Sequence, residues 1–451
     1  MAARGLDLSH HLSREGRTRL ANPMKETFRR VSEAGPTMIN LGNGNPVPRL
    51  FAVDAFDVHV SLPTKSHSPN KLATPGNGNL QTLQLVTGGA PDTRSAIDLA
   101  IALQYSSGRG IDKAIEVVQQ LNEVLHKPPH NHVIMTSGSI DALSKCFRMF
   151  CDQGDTILCE EFSFPGTINA PLAMGVRWAP VRIDEDGIIP EELESVLTMW
   201  DEKKAGQNPT GSTLTPERRQ RIYKLAQQHD LLILEDVSQI SPSFLSLDVD
   251  GRVLRIDTLS KTLVPGMRLG WITCTQFFAE KLLLLTDSTT QHANGFSQAI
   301  LCELFTTGRG WGIDGYITWC RGLRDEYQRR RDVLMSVLSK EVLSTGLAST
   351  HVPKAGMFFW VEIHVEKHRD IRTMVLMQQL ADQVFERNVM VIPAAPFAVV
   401  PAYRVHDGFE ETPDMQPTRL NHLRITFAPE DDLIERGIKV LGEVLVDFFK
   451  Q

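Results

Sequence analysis

The sequence has few cysteines, and none of them belongs to a short paired motif. Among its 451 residues no CxxC motif occurs, and the six cysteines lie far apart: Cys146, Cys151, Cys159, Cys274, Cys302 and Cys320. This spacing excludes a cysteine zinc site and the dense cross-links of a small secreted domain. Scattered thiols are typical of a reducing compartment, so we expect a cytoplasmic protein.

The chain also lacks an excess of positive charge and a long apolar run. Its net charge is −7, whereas a nucleic-acid-binding surface needs a basic patch. The most apolar stretch, VMVIPAAPFAVVPA, contains three prolines and is shorter than the roughly 20 residues of a membrane-spanning helix. The first thirty residues hold acidic side chains and no apolar signal-peptide core. We therefore expect an exposed N-terminal arm, and neither nucleic acid nor membrane as a partner.

No metal site is predicted from the histidines. The segment HKPPHNHV brings His126, His130 and His132 close in sequence. It also contains two adjacent prolines, and no cysteine or acid follows at the spacing of a metal ligand set.

Short apolar segments alternate with helical patterns from about residue 111 onward. The segments HVIMTS, DTILCEE, LLILEDV and RVLRIDTLS are typical of buried strands, and amphipathic helical patterns lie between several of them. This alternation predicts an α/β fold whose mainly parallel sheet is sandwiched by helices, followed by a smaller α+β domain. The predicted division is an N-terminal arm with part of the small domain, a surface loop, a major domain and a C-terminal small domain: 1–60, 61–95, 96–344 and 345–451.

Three predicted strands end in polar residues. Ser139 follows the first of them, Glu235 and Asp236 end the second, and Lys261 follows the third. Ligands of open α/β sheets bind at such carboxyl ends. Taken singly, each feature also has a simpler interpretation: a serine that caps its helix, or charges that are merely solvated.

Taken together, these residues match the requirements of pyridoxal 5′-phosphate (PLP). The aldehyde of this cofactor needs an amine such as Lys261, and its ring nitrogen needs an anion such as Asp236. Its phosphate needs hydroxyls, amides and a guanidinium. Thr258, Ser260 and Arg268 supply these groups around Lys261.

At these residues the chain resembles the fold-type I PLP-dependent aminotransferases (class I/II). More narrowly, it is similar to the fungal aromatic amino acid aminotransferases and to the 2-aminoadipate and kynurenine aminotransferases. The segments SKTLVPGMRLG and NPTG carry the resemblance most specifically. The segments INLGNGNPVPRLF, LQYSSGRG and NHLRITFA extend it over nearly the whole chain.

The resemblance implies roles for residues around the cofactor ring. Lys261 is similar to the lysine that forms the Schiff base and shuttles the substrate proton. Asn208 resembles the residue that binds the ring hydroxyl, Asp236 the partner of the ring nitrogen, and Phe164 the aromatic residue that stacks on the ring.

The resemblance also implies phosphate ligands, a substrate site and a homodimer. Ser139, Thr258, Ser260 and Arg268 are expected at the phosphate, together with Tyr105 from the neighbouring subunit. Arg424 is similar to the arginine that binds the substrate α-carboxylate, and Gly44 to a residue near the substrate. The implied reaction is a ping-pong transfer of an amino group to a 2-oxo acid such as 2-oxoglutarate.

The chain departs from the family pattern at three places. The apolar strand expected before QNPTG is replaced by the charged segment LTMWDEKKAG, Gln239 stands where a tyrosine is usual, and Ile140 stands where a polar residue is usual. Either the shortened segments are real, which predicts a weakened or non-catalytic relative, or the sequence is an incorrect splice prediction for an ordinary aminotransferase. We expect the second, because Lys261 and Asp236 are intact.

Two other functions are compatible with the same motifs. A PLP-dependent lyase that cleaves a bond at the β-carbon, such as a carbon–sulfur bond, would keep every cofactor ligand. A non-catalytic protein on the same fold would follow from loss of the strand.

Overall fold

The computed structural model describes residues 6–26, 30, 44–63, 80–88, 95–199, 205–206, 214–237, 243–368, 373–399 and 419–450. The chain divides into two compact units: Met1–Gln153 with Leu232–Leu323, and Gly154–Leu231 with Arg324–Gln451. The functional division predicted from the sequence has other boundaries and remains a prediction.

The helices α1 to α12 span Arg14–Thr18, Leu99–Leu103, Asp112–Leu125, Ser139–Phe150, Pro165–Leu172, Pro190–Met199, Pro216–Gln228, Gln276–Asp287, Gly295–Phe305, Gly312–Glu341, Thr373–Glu386 and Asp431–Phe448. The strands β1 to β15 span Ala55–Ser61, Leu80–Val86, His132–Thr136, Thr156–Glu160, Arg177–Val181, Ile183–Asp184, Gly187–Ile188, Ala205–Gly206, Ile233–Val237, Val253–Thr258, Gly270–Cys274, Ala348–Thr350, Phe358–Ile363, Ile392–Pro393 and His422–Thr426.

In the first unit, strands β3, β11, β10 and β9 lie side by side in that order. Strand β10 pairs parallel with β9 and antiparallel with β11, which is antiparallel to β3 as well. Strands β3, β9 and β10 therefore run in one direction and end at the same edge. Nearly every residue of β3, β10 and β11 is buried, as expected for strands covered on both faces.

Helices cover both faces of these strands. On one face, Val133, Met135 and Trp271 join a core cluster with residues of α3 and α9. On the other face, α4 packs against β10 and α8, where the rings of Phe150 and Phe278 meet edge-on at 5.1 Å. Apolar residues at helical spacing on α4 explain this packing, because they form one buried stripe.

The predicted surface loop 61–95 contains a strand. Leu80–Val86 pairs antiparallel with Ala55–Ser61, so that Leu83 faces Val58 and Leu85 faces Phe56. The alternation in LQTLQLV is typical of a half-buried strand, and Leu83 and Leu85 are buried. The surrounding Pro, Gly, Ser and Thr residues obscured this pattern in the sequence.

In the second unit, strands β8, β4 and β5 pair in parallel. The sequence predicted that the strand before QNPTG is absent, but the structure retains a short one. Ala205 pairs with Leu158, and Gly206 pairs with Cys159. Within the described residues, this strand consists of Ala205 and Gly206.

The second unit also holds the antiparallel sheet β12-β13-β15-β14. Helices α11 and α12 pack with this sheet and with the C-terminal part of α10 around a second core cluster that includes Leu338, Phe359 and Leu441. The α+β character predicted for the C-terminal region is therefore present. Among the described residues, no helix is both long and apolar enough to cross a membrane.

Candidate active site

A glycine turn joins strand β3 to helix α4 at the edge where β3, β9 and β10 end. Gly138 has φ +93°, a conformation that glycine adopts readily and other residues do not. A Cβ at Gly138 would lie 2.6 Å from Nη2 of Arg268. The missing side chain therefore allows a guanidinium to lie against the first turn of the helix.

Ser139 is the first residue of α4 and does not cap it. The N-cap residue is Gly138, with no side-chain hydrogen bond to the helix. The simpler interpretation, in which Ser139 only caps its helix, is therefore wrong. The backbone N–H groups of a first helical turn attract an anion, and the Ser139 hydroxyl adds a further donor. Ile140 is 43% exposed and offers only its backbone N–H.

Arg268 lies over this helix start. It is in the left-handed backbone region, with φ +46°. Its Nη2 donates to the Ser137 carbonyl at 3.1 Å, and its Nη1 donates to Pro265 O at 3.2 Å and to Ser260 Oγ at 3.4 Å. Within the described ranges no carboxylate forms an ion pair with Arg268, so its charge is balanced by neutral oxygens alone.

Thr258 and Ser260 complete the cluster from the end of β10. Their hydroxyl oxygens are 2.9 Å apart, and Ser260 N donates to Thr258 Oγ1 at 3.2 Å. We call Ser139, Thr258, Ser260 and Arg268 the donor cluster, since each offers N–H or O–H groups and none is an acid. These donors can all bind the oxygens of a phosphate dianion, and none of the four side chains carries a negative charge that would repel it.

Lys261 follows the donor cluster in a turn that is fixed to helix α10. The next residue, Thr262, accepts hydrogen bonds from Tyr316 Oη at its Oγ1 (2.9 Å) and from Trp319 Nε1 at its carbonyl oxygen (2.7 Å). The Lys261 side chain is exposed, and in the described part of the chain it forms no hydrogen bond or ion pair. Its backbone is therefore anchored while its amine is available.

The two acids that end β9 have different environments. Glu235 is buried, accepts from Phe244 N at 3.1 Å and is also bound by Ser243 Oγ. Glu235 therefore holds the segment Ser243–Phe244 against β9. Asp236 is the neighbouring residue, and its side chain lies on the opposite face of the strand. Burial, and then the negative charge of Asp257, raises the pKa of Asp236 to about 7.

In the second unit, Arg424 on β15 has no acidic partner within the described ranges. Its guanidinium carbon lies 4.2 Å from the ring centre of Phe358 and 4.3 Å from that of Phe397. Burial lowers its pKa below the usual range for arginine. Two rings stabilise the cation by cation–π contact, and the edge of the guanidinium can still bind a carboxylate.

The remaining predicted residues lie elsewhere or outside the described ranges. Phe164 precedes α5 and is 47% exposed, and Tyr105 is 61% exposed with its ring edge-on to His292 at 6.3 Å. A Cβ at Gly44 would meet no described atom within 4 Å. Asn208 and Gln239 lie outside the described residues.

Sequence reasoning missed the residues that hold the site from behind. Tyr316 and Trp319 could have been found as an aromatic pair at helical spacing in YITW, because they lie on one face of a helix. Arg255 and Asp257 form a buried ion pair on β10, with Nε–Oδ2 at 2.8 Å. Its only sequence signal is a pair of charges two residues apart within an apolar strand.

The donor cluster, Lys261 and Asp236 all lie at one edge of the first unit. This edge can bind a phosphate, present a primary amine to a carbonyl group and place a carboxylate on a neighbouring strand. A phosphate site at a glycine turn, next to an exposed lysine, is suited to a reaction in which the lysine amine forms an imine with a carbonyl group.

Comparisons with known proteins agree with this chemistry. Residues 93–441 match the family model described as "Aminotransferase class I and II". The chain is 38% identical to the L-tyrosine:2-oxoglutarate aminotransferase amt1 of Serpula lacrymans var. lacrymans (strain S7.9), covering 98% of this chain and 96% of the relative. It is also 38% identical to the L-tyrosine:2-oxoglutarate aminotransferase atrD of Tapinella panuoides, with 99% and 97% coverage.

A solved structure agrees as well. Aminotransferase Aro8 from Candida albicans superposes with a TM-score of 0.87 at 30% identity, covering 99% of each chain. The predicted fold-type I α/β architecture and the predicted family are confirmed. The chain belongs to the class I and II aminotransferases and is an enzyme that transfers amino groups to 2-oxo acids.

Proposed function

We propose that this aminotransferase uses PLP and moves the amino group of an aromatic or 2-aminoadipate-like amino acid to 2-oxoglutarate by a ping-pong mechanism. The observation that carries the proposal is the donor cluster, which has a guanidinium, three hydroxyls and a helix N-terminus beside an anchored, exposed Lys261. When bound, PLP supplies an aldehyde for amine exchange and a ring that withdraws electrons.

The residues of the first unit divide the work between binding and proton transfer. The donor cluster would hold the phosphate, and Asp236 would serve as the partner of the ring nitrogen. A protonated nitrogen beside Asp236 favours the ionised carboxylate, which offsets the burial that raises its pKa to about 7. Lys261 Nζ would take the proton from the substrate α-carbon and pass it to the cofactor, since its side chain is exposed and its backbone is fixed through Thr262.

Arg424 is assigned to the substrate α-carboxylate by resemblance. Its guanidinium lies against the rings of Phe358 and Phe397, and its N–H edge would bind a carboxylate through two parallel donors. These two rings also favour an aromatic or otherwise apolar side chain nearby. The relatives named for L-tyrosine and 2-oxoglutarate support the same substrate class.

The proposal includes a homodimer in the cytoplasm. Tyr105 is exposed on its own chain, which suits a tyrosine that reaches the phosphate of the neighbouring subunit. None of the six cysteines, all of which lie in the described residues, forms a disulfide, which suits a reducing compartment. Asn208, Phe164 and Gly44 are assigned to the ring hydroxyl, the ring face and the substrate by resemblance.

The test compares purified full-length protein with its Lys261→Ala variant. With PLP and a panel of tyrosine, phenylalanine, kynurenine and 2-aminoadipate, the wild type should form glutamate from 2-oxoglutarate and show visible absorbance from bound cofactor. Lys261→Ala should lose both. Lys340→Ala, at a side chain that is 80% exposed, is the matched control and should keep both.

Other products would redirect the proposal. Release of pyruvate and ammonia without stoichiometric oxo-acid exchange would show a lyase. A colourless protein that binds no PLP would show a non-catalytic relative. Loss of activity in Lys340→Ala would show that the assay reports stability and not the role of one amine.

The short strand β8 has a separate test. The alignment with amt1 extends over 509 positions, more than the 451 residues of this chain, so this relative carries residues that this chain lacks. We propose that the charged segment before QNPTG reflects an incorrect or alternative splice prediction for the gene. Sequencing the transcript across Trp200–Gln207 should recover additional apolar codons, and an uninterrupted transcript would contradict this.

A further inference from the structure

A buried ion network lies behind strand β10, on the face away from Asp236. Arg255 is 1% exposed, and its Nε and Nη2 both donate to the Asp257 carboxylate at 2.8 Å. Its Nη1 is 3.5 Å from Glu235 Oε2. The network thus joins β9 to β10 through one guanidinium and two carboxylates.

The strand register places this network one residue from the proposed ring partner. Asp236 pairs with Ile256, and Asp257 pairs with Val237. Adjacent residues of a strand point to opposite faces, and neighbouring strands lie about 4.8 Å apart. Asp257 is therefore a diagonal neighbour of Asp236 across the thickness of the sheet, and Arg255 is its counter-ion.

We propose that Arg255 and Asp257 are positioning residues that set the charge of Asp236 from behind the sheet and so tune it for the cofactor ring nitrogen. The proposal rests on the function proposed above. Asp257 disfavours a second negative charge at Asp236, and Arg255 limits that effect by neutralising Asp257 through two hydrogen bonds. Because the pair is buried, solvent screens it little.

Other groups near Asp236 are neutral or already compensated. From helix α4, Cys146 stays a neutral thiol because burial raises its pKa, and Asp141 is paired with Lys145. After the turn Phe244–Leu247, Asp248 accepts three backbone N–H groups within 3.2 Å.

His126, on the Arg255 side, also adds no charge. Burial, and then the charge of Arg255, lowers the pKa of His126 to about 3. The charges to be varied by substitution are therefore those of Arg255 and Asp257.

The experiment follows the titration of Asp236 in the cofactor-free full-length chain by carboxyl NMR of 13C-labelled aspartate, with the resonance assigned by its loss in Asp236→Asn. Asp257→Asn keeps the shape and removes the negative charge, so the Asp236 midpoint should fall by about one pH unit or more. Arg255→Met removes the counter-charge, so the midpoint should rise by a similar amount. Arg255→Lys should restore most of the wild-type value.

The double variant Arg255→Met/Asp257→Asn guards against misfolding of Arg255→Met, because it removes both charges of the pair together, although Glu235 still loses its ion pair. Since the two removals shift the midpoint in opposite directions, its midpoint should lie close to that of the wild type. Unchanged midpoints in all variants, or shifts of one sign in both single variants, would overturn the proposal. Failure of the proposed function is a separate result, since it would appear as wild-type protein that binds no PLP.

Discussion

Strand β10 presents two kinds of polar residue, and they differ in whether their charges are paired. Arg255 is buried, donates two hydrogen bonds to Asp257 and forms an ion pair with Glu235. Among the described residues, Thr258, Ser260 and the following Arg268 have only uncharged hydrogen-bond partners outside their own group. Polar groups that are satisfied within the fold hold its architecture, whereas donors left without an acid are available for a ligand.

Arginines of the second unit give the same contrast and the largest predicted effect. Arg424→Met should lower kcat/KM for the amino acid about 100–1000-fold, because a charge-assisted contact of roughly 3–4 kcal/mol is lost. Its stability should be unchanged or higher, since an unpaired, half-buried cation is removed. Steady-state kinetics and thermal unfolding check both parts.

Arg330 is the paired counterpart of Arg424 in that test. It is buried, bonded to Glu326 at 2.7 Å, and donates to the carbonyls of Ala428 and Pro429. Arg330→Met should cost about 3–5 kcal/mol of stability, because it leaves Glu326 and two carbonyls without their partner. Equal loss of stability in the Arg424 and Arg330 variants would break the comparison.

Removal of Arg268 should weaken cofactor binding without unfolding the protein. Arg268→Met is expected to raise the dissociation constant of PLP about 10–100-fold, because a charged donor contributes about 1.5–3 kcal/mol. Equilibrium titration measures it, with the exposed Arg436→Met as control. A normal affinity in Arg268→Met would remove this arginine from the phosphate site.

Ionisation of Asp236, which its proposed role requires, should lower the stability of the cofactor-free fold by an amount that depends on pH. Its folded-state pKa of about 7 lies above the ordinary value of 3.8, so ionisation of Asp236 destabilises the cofactor-free fold as pH rises from about 4 to 7. Asp236→Asn should therefore be more stable than wild type by about 4 kcal/mol at pH 8 and equal to it near pH 4. Denaturant unfolding at both pH values gives the result, and a constant difference would contradict it.

A comparison of Gly138 and Gly154 distinguishes the effect of backbone strain from that of steric contact with the donor cluster. Gly138 and Gly154 have nearly equal φ, +93° and +91°, but only a Cβ at Gly138 would meet Arg268, while Gly154 has no described atom within 4 Å. Both Gly→Ala variants should lose about 1 kcal/mol of stability. Only Gly138→Ala should also bind PLP more weakly, and an equal loss of affinity in Gly154→Ala would show that Arg268 is not involved.

The sequence allowed the fold, the family and the donor cluster to be predicted, because strand-end motifs occur as contiguous segments. The sequence did not reveal which of Glu235 and Asp236 binds the loop that begins at Ser243. That depends on the register of β9 with β10, which places Glu235 opposite Arg255. The sequence also did not reveal β2 or the two-residue β8. Their pairing partners, β1 and β4, lie 19 or more residues away along the chain, so local composition does not specify them.

Lys261 is proposed to be the amine joined to the cofactor beside the donor cluster. Reduction of the PLP-loaded protein with borohydride, followed by peptide mass spectrometry, would fix that attachment permanently. One pyridoxyl label is expected, on Lys261. A label on another lysine, or no label on a protein that transaminates, would contradict it.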